Sequence, residues 1–363
     1  MFPRDVISTG SLILRPPAEG DAEAIVGMCG DPVTVRFMPL LPVPYRLEHA
    51  REYLKGAAAR WEGGGAEFAI TENDQFVGSI GVQSPDHWGV VELGYLVAPW
   101  ARGKNVAATA ARAVTDWLFD HGVRRIELQA EVENVASLRV AYKAGFREEG
   151  RRRDAKQLRD GRFVDFITFG RLSGDPVGGT EPYLPFFDGG ELNDGVVRLV
   201  PLASEDAGEF HRMLADPIVA AYFVGPASTL EEDQRRCRHT GYWWVSGQRI
   251  ELAIRNAVSG AFAGHLQLTQ VLPALGQAMI GYSLLPEFRG KGFMTRAVGL
   301  LVDWAFASTS LHRIVAGTEA GNTASHAVLE RAGFRREGVQ RQLFPKRDGT
   351  RADDVQWALL RPS

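Results

Sequence analysis

Cysteine is almost missing from this chain: Cys29 and Cys237 are the only two among 363 residues. Two thiols so far apart exclude a disulfide-stapled scaffold and fit a reducing compartment. An excess of either charge is missing too. Lys and Arg total 41 against 44 Asp and Glu, a net charge of −3, so no overall basic field recruits nucleic acid. No apolar run is long enough to span a bilayer. The opening MFPRDVISTG lacks the apolar core of a secretory signal. The expectation is a cytoplasmic location with no membrane partner, no nucleic-acid partner and no metal. What remains, 45% apolar and 23% charged residues, is ordinary globular composition, and the length suggests about two domains.

The chain is organised around one stretch, Tyr95 to Asp120. A short apolar strand ends at Ala98-Pro99. Arg102-Gly103-Lys104-Asn105-Val106-Ala107 follows, then a helix whose Val106, Ala110, Ala113, Val114, Trp117 and Leu118 share one face. Strand, cationic glycine turn and helix N-terminus together suit a phosphate, because free N–H groups and the positive dipole end meet the anion. The stretch recurs from Tyr282 to Phe306 around Arg289-Gly290-Lys291-Gly292-Phe293-Met294.

The rest of the chain repeats with it. Asp21 and Asp206, Arg102 and Arg289, Asn134 and Asn322, and Phe146 and Phe334 recur at separations of 185, 187, 188 and 188. Each copy reads in one order. A first strand (Ser11 to Pro16; Val196 to Pro201) leads to a helix that ends at Asp31-Pro32 or Asp216-Pro217. A second helix (Leu47 to Trp61; Leu230 to Val245) precedes a hairpin (Glu67 to Thr71 with Gln75 to Gln83; Ile250 to Arg255 with Ala261 to Thr269). After the phosphate unit come a strand, a short helix from Asn134 or Asn322, a Gly-Phe pair and a last hairpin turning at Asp160-Gly161 or Asp348-Gly349. The expected domains are residues 1–172 and 195–363. Between them, 173–194 is rich in Gly, Pro and Asp and reads as a linker. Its Tyr183, Phe186 and Phe187 are expected to pack on one or both domains.

ELGYLVAPWARGKNVA, ENVASLRVAYKAGF, IGYSLLPEFRGKGFMT and GNTASHAVLERAGF together resemble the GNAT N-acetyltransferase superfamily. The likeness is greatest to its RimJ/RimL-type branch, which acetylates N-termini of ribosomal proteins and, in many relatives, small amines. It covers both halves and misses only the linker. It implies an α+β fold in tandem, each copy a mixed, splayed central sheet flanked by helices. Acetyl-CoA would be cosubstrate, lying in the V between the middle strands and pairing with the fourth, Val91 to Ala98 or Met279 to Leu285. The implied reaction is direct attack of a primary amine, of a small molecule or a protein N-terminus, on the thioester. A non-catalytic acyl-CoA sensor and a transferase of longer acyl groups are the alternatives. A monomer or homodimer is expected.

The resemblance carries cofactor contacts to Leu96, Val97, Arg102, Gly103, Lys104, Asn105, Val106, Ala107 and Asn134 in the first copy. In the second it carries them to Leu284, Leu285, Arg289, Gly290, Lys291, Gly292, Phe293, Met294, Thr295 and Asn322. Asn105 stands where the family has Gly. Catalytic candidates are Glu92 on the first fourth strand, where the second copy has Met279; Glu131 and Glu319, each three residues before the shared Asn; and Ser137 and Ser325 near the leaving thiolate. Asn134 and Asn322 also read as helix N-caps. The tyrosine many relatives use as acid is Ala141 or Leu329 here, and the sixth-strand glutamate is Lys156 or Phe344. His265 reads as a structural hydrogen-bonder, and the run Arg147, Arg151, Arg152 and Arg153 as a solvated strand face. Cys237 sits among arginines that would lower its pKa, but amine acetylation needs no thiol. These unlike departures lead to the expectation that one copy is catalytic and the other a scaffold.

Overall fold

A computed structural model describes residues 2–222, 225–346 and 349–362. Asp348 of the last expected turn lies outside them. The chain forms two compact units, Met1–Glu181 and Pro182–Ser363.

In the first unit the order is β1 (Ile7–Thr9), β2 (Leu12–Arg15), α1 (Ala22–Cys29), α2 (Pro32–Phe37), α3 (Leu47–Glu62), β3 (Ala66–Glu72), β4 (Gln75–Val82), β5 (Val90–Val97), α4 (Val106–Asp120), β6 (Arg125–Glu131), α5 (Val135–Lys143), β7 (Arg147–Gln157) and β8 (Phe163–Leu172). The second repeats it as β9 (Leu192–Asn193), β10 (Val197–Pro201), α6 (Ala207–Leu214), α7 (Pro217–Ala221), α8 (Leu230–Val245), β11 (Ile250–Asn256), β12 (Phe262–Leu272), β13 (Gln277–Leu284), α9 (Phe293–Ser308), β14 (Arg313–Glu319), α10 (Thr323–Arg331), β15 (Arg335–Pro345) and β16 (Arg351–Leu360). Each sheet has eight strands, ordered β1-β2-β3-β4-β5-β6-β8-β7 and, in the second unit, β9-β10-β11-β12-β13-β14-β16-β15.

The sheets are antiparallel except at one place. β5 runs parallel to β6 and β13 parallel to β14, and the pairing stops early. It covers Val90↔Arg125 to Glu92↔Glu127 in one unit and Gln277↔Arg313 to Met279↔Val315 in the other. Beyond those residues the strands part, while β4 and β12 stay paired with β5 to Val97 and with β13 to Leu284. Each sheet therefore opens into a V. One edge of β5 and of β13 keeps backbone N–H and C=O groups that no neighbouring strand takes.

α1 ends at Cys29 and α6 at Leu214, just before Asp31-Pro32 and Asp216-Pro217, as expected, but those pairs do more than close a segment. They start α2 and α7: the aspartate accepts from the first-turn N–H groups and Pro takes the first helical position. Asn134 and Asn322 cap α5 and α10 by accepting from Ser137 N and Ser325 N, both at 3.1 Å. The segment 173–194 is not a free tether. Its residues from Pro182 belong to the second unit, where Leu184 and Phe187 join the core and Leu192–Asn193 adds an edge strand. Phe186 stacks on Trp244 at 4.7 Å and Phe187 meets it edge-on. Trp244 Nε1 donates to Leu184 O at 2.9 Å.

Candidate active site

The second unit holds a cleft of about 570 Å³ running along the free edge of β13 to the start of α9. Gly281 to Leu284 form one wall, Gly317 to Glu319 of β14 face them, and Gly290 and Gly292 to Thr295 close one end. The turn at that end is set by backbone angles. Gly290 and Gly292 have φ of 71° and 78°, and their counterparts Gly103 and Asn105 have 78° and 65°. Left-handed residues two apart turn successive N–H groups inward, an anion cradle. The first-turn N–H groups of each helix add to it.

Asn105 thus adopts the conformation for which its counterpart uses glycine. Its side chain makes no capping bond, and a Cβ at Gly292 would meet nothing within 4 Å. The substitution is tolerated because Asn bears left-handed angles better than other side chains. Asn105→Ala is expected to destabilise the first unit by about 1 kcal/mol, and Asn105→Gly to be nearly neutral, by thermal unfolding.

The two leading arginines are each engaged by a carboxylate, and Arg289 also lines the cleft. Arg102 Nη2 pairs with Asp31 Oδ2 at 2.6 Å and donates to Thr34 Oγ1. Arg289 Nη2 pairs with Asp216 Oδ1 at 2.6 Å and donates to Leu284 O at 2.9 Å. They fasten the turn to α2 and α7, while Lys104 and Lys291 stay exposed. Val106, Ala107, Phe293 and Met294 are buried, and Phe293 and Met294 also line the cleft. Leu285 has no free group: its side chain is fully buried and its N–H donates to Ala263 O. Leu96, Val97 and Leu284 are half-buried on the open strands.

Ser137 and Ser325 each meet a tyrosine that the sequence reading passed over. Tyr95 Oη lies 2.8 Å from Ser137 Oγ and donates to Ser137 O at 3.1 Å. In the second unit Ser325 Oγ donates to Tyr282 Oη at 3.2 Å. Burial pushes the Tyr282 phenol up to about 12, so it stays a proton donor. The signal was in the sequence, since Gly94-Tyr95 and Gly281-Tyr282 repeat at the spacing of the phosphate turns.

The carboxylates part ways. Glu92 is exposed and lies beside Glu127 in the parallel pair. Glu131 is buried and bridged to α2, with Arg36 Nη2 at 2.9 Å from it and 3.0 Å from Glu133. Burial raises its pKa more than Arg36 lowers it. Glu319 lines the second cleft and is paired with Lys346 Nζ at 2.7 Å. Ala221, at the place of Arg36, lines the same cleft. The first unit therefore ties its helical layer to β6, and the second does not use that tie.

Cys237 is buried, and burial pushes its thiol up to about 12 against the pull of Arg236; the neighbouring arginines do not activate it. His265 lines the cleft. Its Nε2 lies 2.6 Å from Glu251 Oε2, and Arg236 Nη2 and Arg249 Nε also reach that carboxylate, at 2.8 and 3.1 Å. Burial would raise the Glu251 carboxyl, but the His265 bond and the two arginines hold it at about 2. A carboxyl depressed from 4.5 stabilises the fold above that pH and loses the contribution as pH falls through about 2. The stability difference between the unaltered chain and Glu251→Gln should therefore shrink over that window in acid unfolding.

Comparison with known proteins agrees with this architecture. The family model for the GNAT acetyltransferase domain matches the chain twice, over residues 11–147 and 197–335. A protein of Bacillus subtilis named as a probable N-acetyltransferase, YjcK, is 37% identical over 135 residues, which cover 37% of this chain and 74% of the relative. The N-acetyltransferase p20 of Bacillus licheniformis is 29% identical over 158 residues, 43% of this chain and 88% of the relative. Among solved structures, RimJ of Mycobacterium smegmatis in complex with a CoA disulfide is similar at 29% identity and a TM-score of 0.42, covering 47% of this chain and 86% of its own. Two matches to one domain model, on two sheets of one topology, place this chain in the GNAT acetyltransferase family as a tandem member.

Proposed function

We propose that the second unit transfers an acetyl group from acetyl-CoA to a primary amine by direct attack on the thioester, and that the first unit serves mainly as a scaffold. The observation that carries this is the continuous cleft from the free edge of β13 to the left-handed turn before α9. An extended pantetheine adds to a strand edge through backbone hydrogen bonds. A pyrophosphate suits the N–H cradle at Gly290 to Thr295. Those residues fit the cosubstrate.

Ser325, hydrogen-bonded to Tyr282, supports a route for returning a proton to the leaving CoA thiolate. Ile218, Tyr222 and Phe344 at the cleft favour an acceptor with an apolar portion beside its amine, such as a protein N-terminus or a small hydrophobic amine. In the first unit the Arg36 bridge to Glu131 and Glu133 occupies the corresponding ground. The test is release of free CoA thiol from acetyl-CoA, followed across a panel of peptide amides and small primary amines. Release that depends on an amine is expected. Binding of acetyl-CoA without amine-dependent release would contradict the proposal and favour a sensor.

A further inference from the structure

An ammonium group cannot attack a thioester, so an amine must shed a proton before or during the reaction. In the second unit the residues from which one would expect that service do not supply it. The strand position of Glu92 is Met279, and Glu319 is neutralised by Lys346 at 2.7 Å. Tyr282 is a donor, its phenol raised by burial. Among the described residues lining the cleft, one uncharged proton acceptor stands apart from these: His265.

Its setting is built from three elements. β12 carries it opposite Ser283 of β13 and Ala253 of β11. Glu251 of β11 accepts from its Nε2–H at 2.6 Å, which leaves the Nδ1 lone pair as the ring's basic site. Arg236 of α8 holds Glu251 and also donates to Gln267 Oε1 at 3.2 Å. Arg249 takes the other Glu251 oxygen, and the Phe210 ring of α6 meets the imidazole edge-on at 5.1 Å. Gln267 in turn lies against Gly281: a Cβ there would come within 2.8 Å of its amide nitrogen. The network thus covers the open strand where its pairing to β14 has just ended.

Glu251, Arg236 and Arg249 are the charged groups that act on the ring, two cations against one carboxylate. Burial and the two cations disfavour the imidazolium, and Glu251 opposes them. The ring is neutral near pH 7, able to take a proton. The first unit has no such device: Ser79 stands at the place of His265 and Gly81 at that of Gln267, and Glu67 there accepts from Tyr53 and Arg60 instead.

We propose that His265, held in register by Glu251, removes the proton of the acceptor amine in the second unit. The amine N–H bond breaks as its nitrogen bonds to the acetyl carbon. His265 Nδ1 takes that proton and later returns it to solvent, the carbon–sulfur bond breaks, and the thiolate takes a proton from solvent, directly or through the Ser325 hydroxyl, which solvent reprotonates. His265 is the catalytic residue and Glu251 a positioning residue. The inference rests on the proposed transferase reading.

The test uses the full chain with a panel amine that it acetylates. His265→Gln keeps a donor for Glu251 but has no basic nitrogen. It should lower kcat by about 100-fold or more and flatten the acidic limb of the pH–rate profile, with the KM for acetyl-CoA within about twofold. Added imidazole should partly restore His265→Ala, a rescue that a purely structural role would not allow. Glu251→Gln leaves two arginines short of a partner and so costs stability as well, which is why the histidine variants decide. Carbethoxylation mapped by mass spectrometry gives a readout free of turnover: His265 should react and acetyl-CoA should protect it. Full kcat in His265→Gln with an unchanged pH profile, or an unreactive His265, would overturn the proposal. Absence of amine-dependent turnover in the unaltered chain would instead contradict the transferase reading itself.

Discussion

Replacing Trp244 with alanine should destabilise the second unit by about 3–5 kcal/mol. Three losses add. The indole is fully buried, and its removal leaves a cavity in the core that joins α8, β11 and α9. It stacks on Phe186 and meets Phe187 and Trp304 edge-on, contacts worth roughly 0.5–1.5 kcal/mol each beyond area. Its Nε1 donates to Leu184 O at 2.9 Å, so truncation also strands a buried carbonyl. For a unit of this size the shift in Tm is roughly 10 °C. Calorimetry of the full chain should show the transition of the second unit falling while that of the first holds. A loss below about 1 kcal/mol would mean that Pro182 to Phe187 merely rest on this unit, against the buried positions of Leu184 and Phe187.

The second large effect is expected at Gly292. Its φ of 78° is left-handed, and a β-branched side chain there is strained however open the space around it. Gly292→Val should either pull the turn out of its left-handed form or pay to keep it, at about 1–3 kcal/mol. Because the N–H cradle exists only in that form, acetyl-CoA should bind roughly 10–100-fold more weakly by calorimetric titration. Gly292→Asn should bind nearly as the unaltered chain does, because Asn105 holds the same angles in the first unit. Equal losses in the two variants would point to side-chain bulk rather than backbone strain.

Much of this molecule was legible in the sequence, and for stated reasons. The duplication, the strand–turn–helix units and the asparagine caps follow from local periodicity and turn chemistry, and each appears where the repeat spacing puts it. The splay of the sheet came from family resemblance, since no local signal says where two parallel strands stop pairing. What escaped was tertiary. Asp31 and Asp216 read only as segment ends, and α1 and α6 do stop just before them. Here Pro sits at the first helical position, and the aspartates also anchor Arg102 and Arg289. Nothing in the sequence shows that a carboxylate some 70 residues earlier comes within 2.6 Å of each of those arginines. The packing of Tyr183, Phe186 and Phe187 was expected, and they pack on the second unit; that Trp244 is what Phe186 and Phe187 pack against was not visible in the sequence. His265 looked like a structural residue, and its bond to Glu251 fits that reading. Its place on the cleft wall depends on the register of β12 against β13, which the hairpin pattern alone does not fix.

The measurement that bears most directly on the account is the rate of amine acetylation by two full-length variants, Gly292→Val and Gly103→Val, against the unaltered chain. Each strains the phosphate turn of one unit only. If the second unit carries the reaction, Gly292→Val loses most of the rate and Gly103→Val keeps nearly all of it. Equal losses, or loss confined to Gly103→Val, would contradict the assignment of catalysis to the second unit.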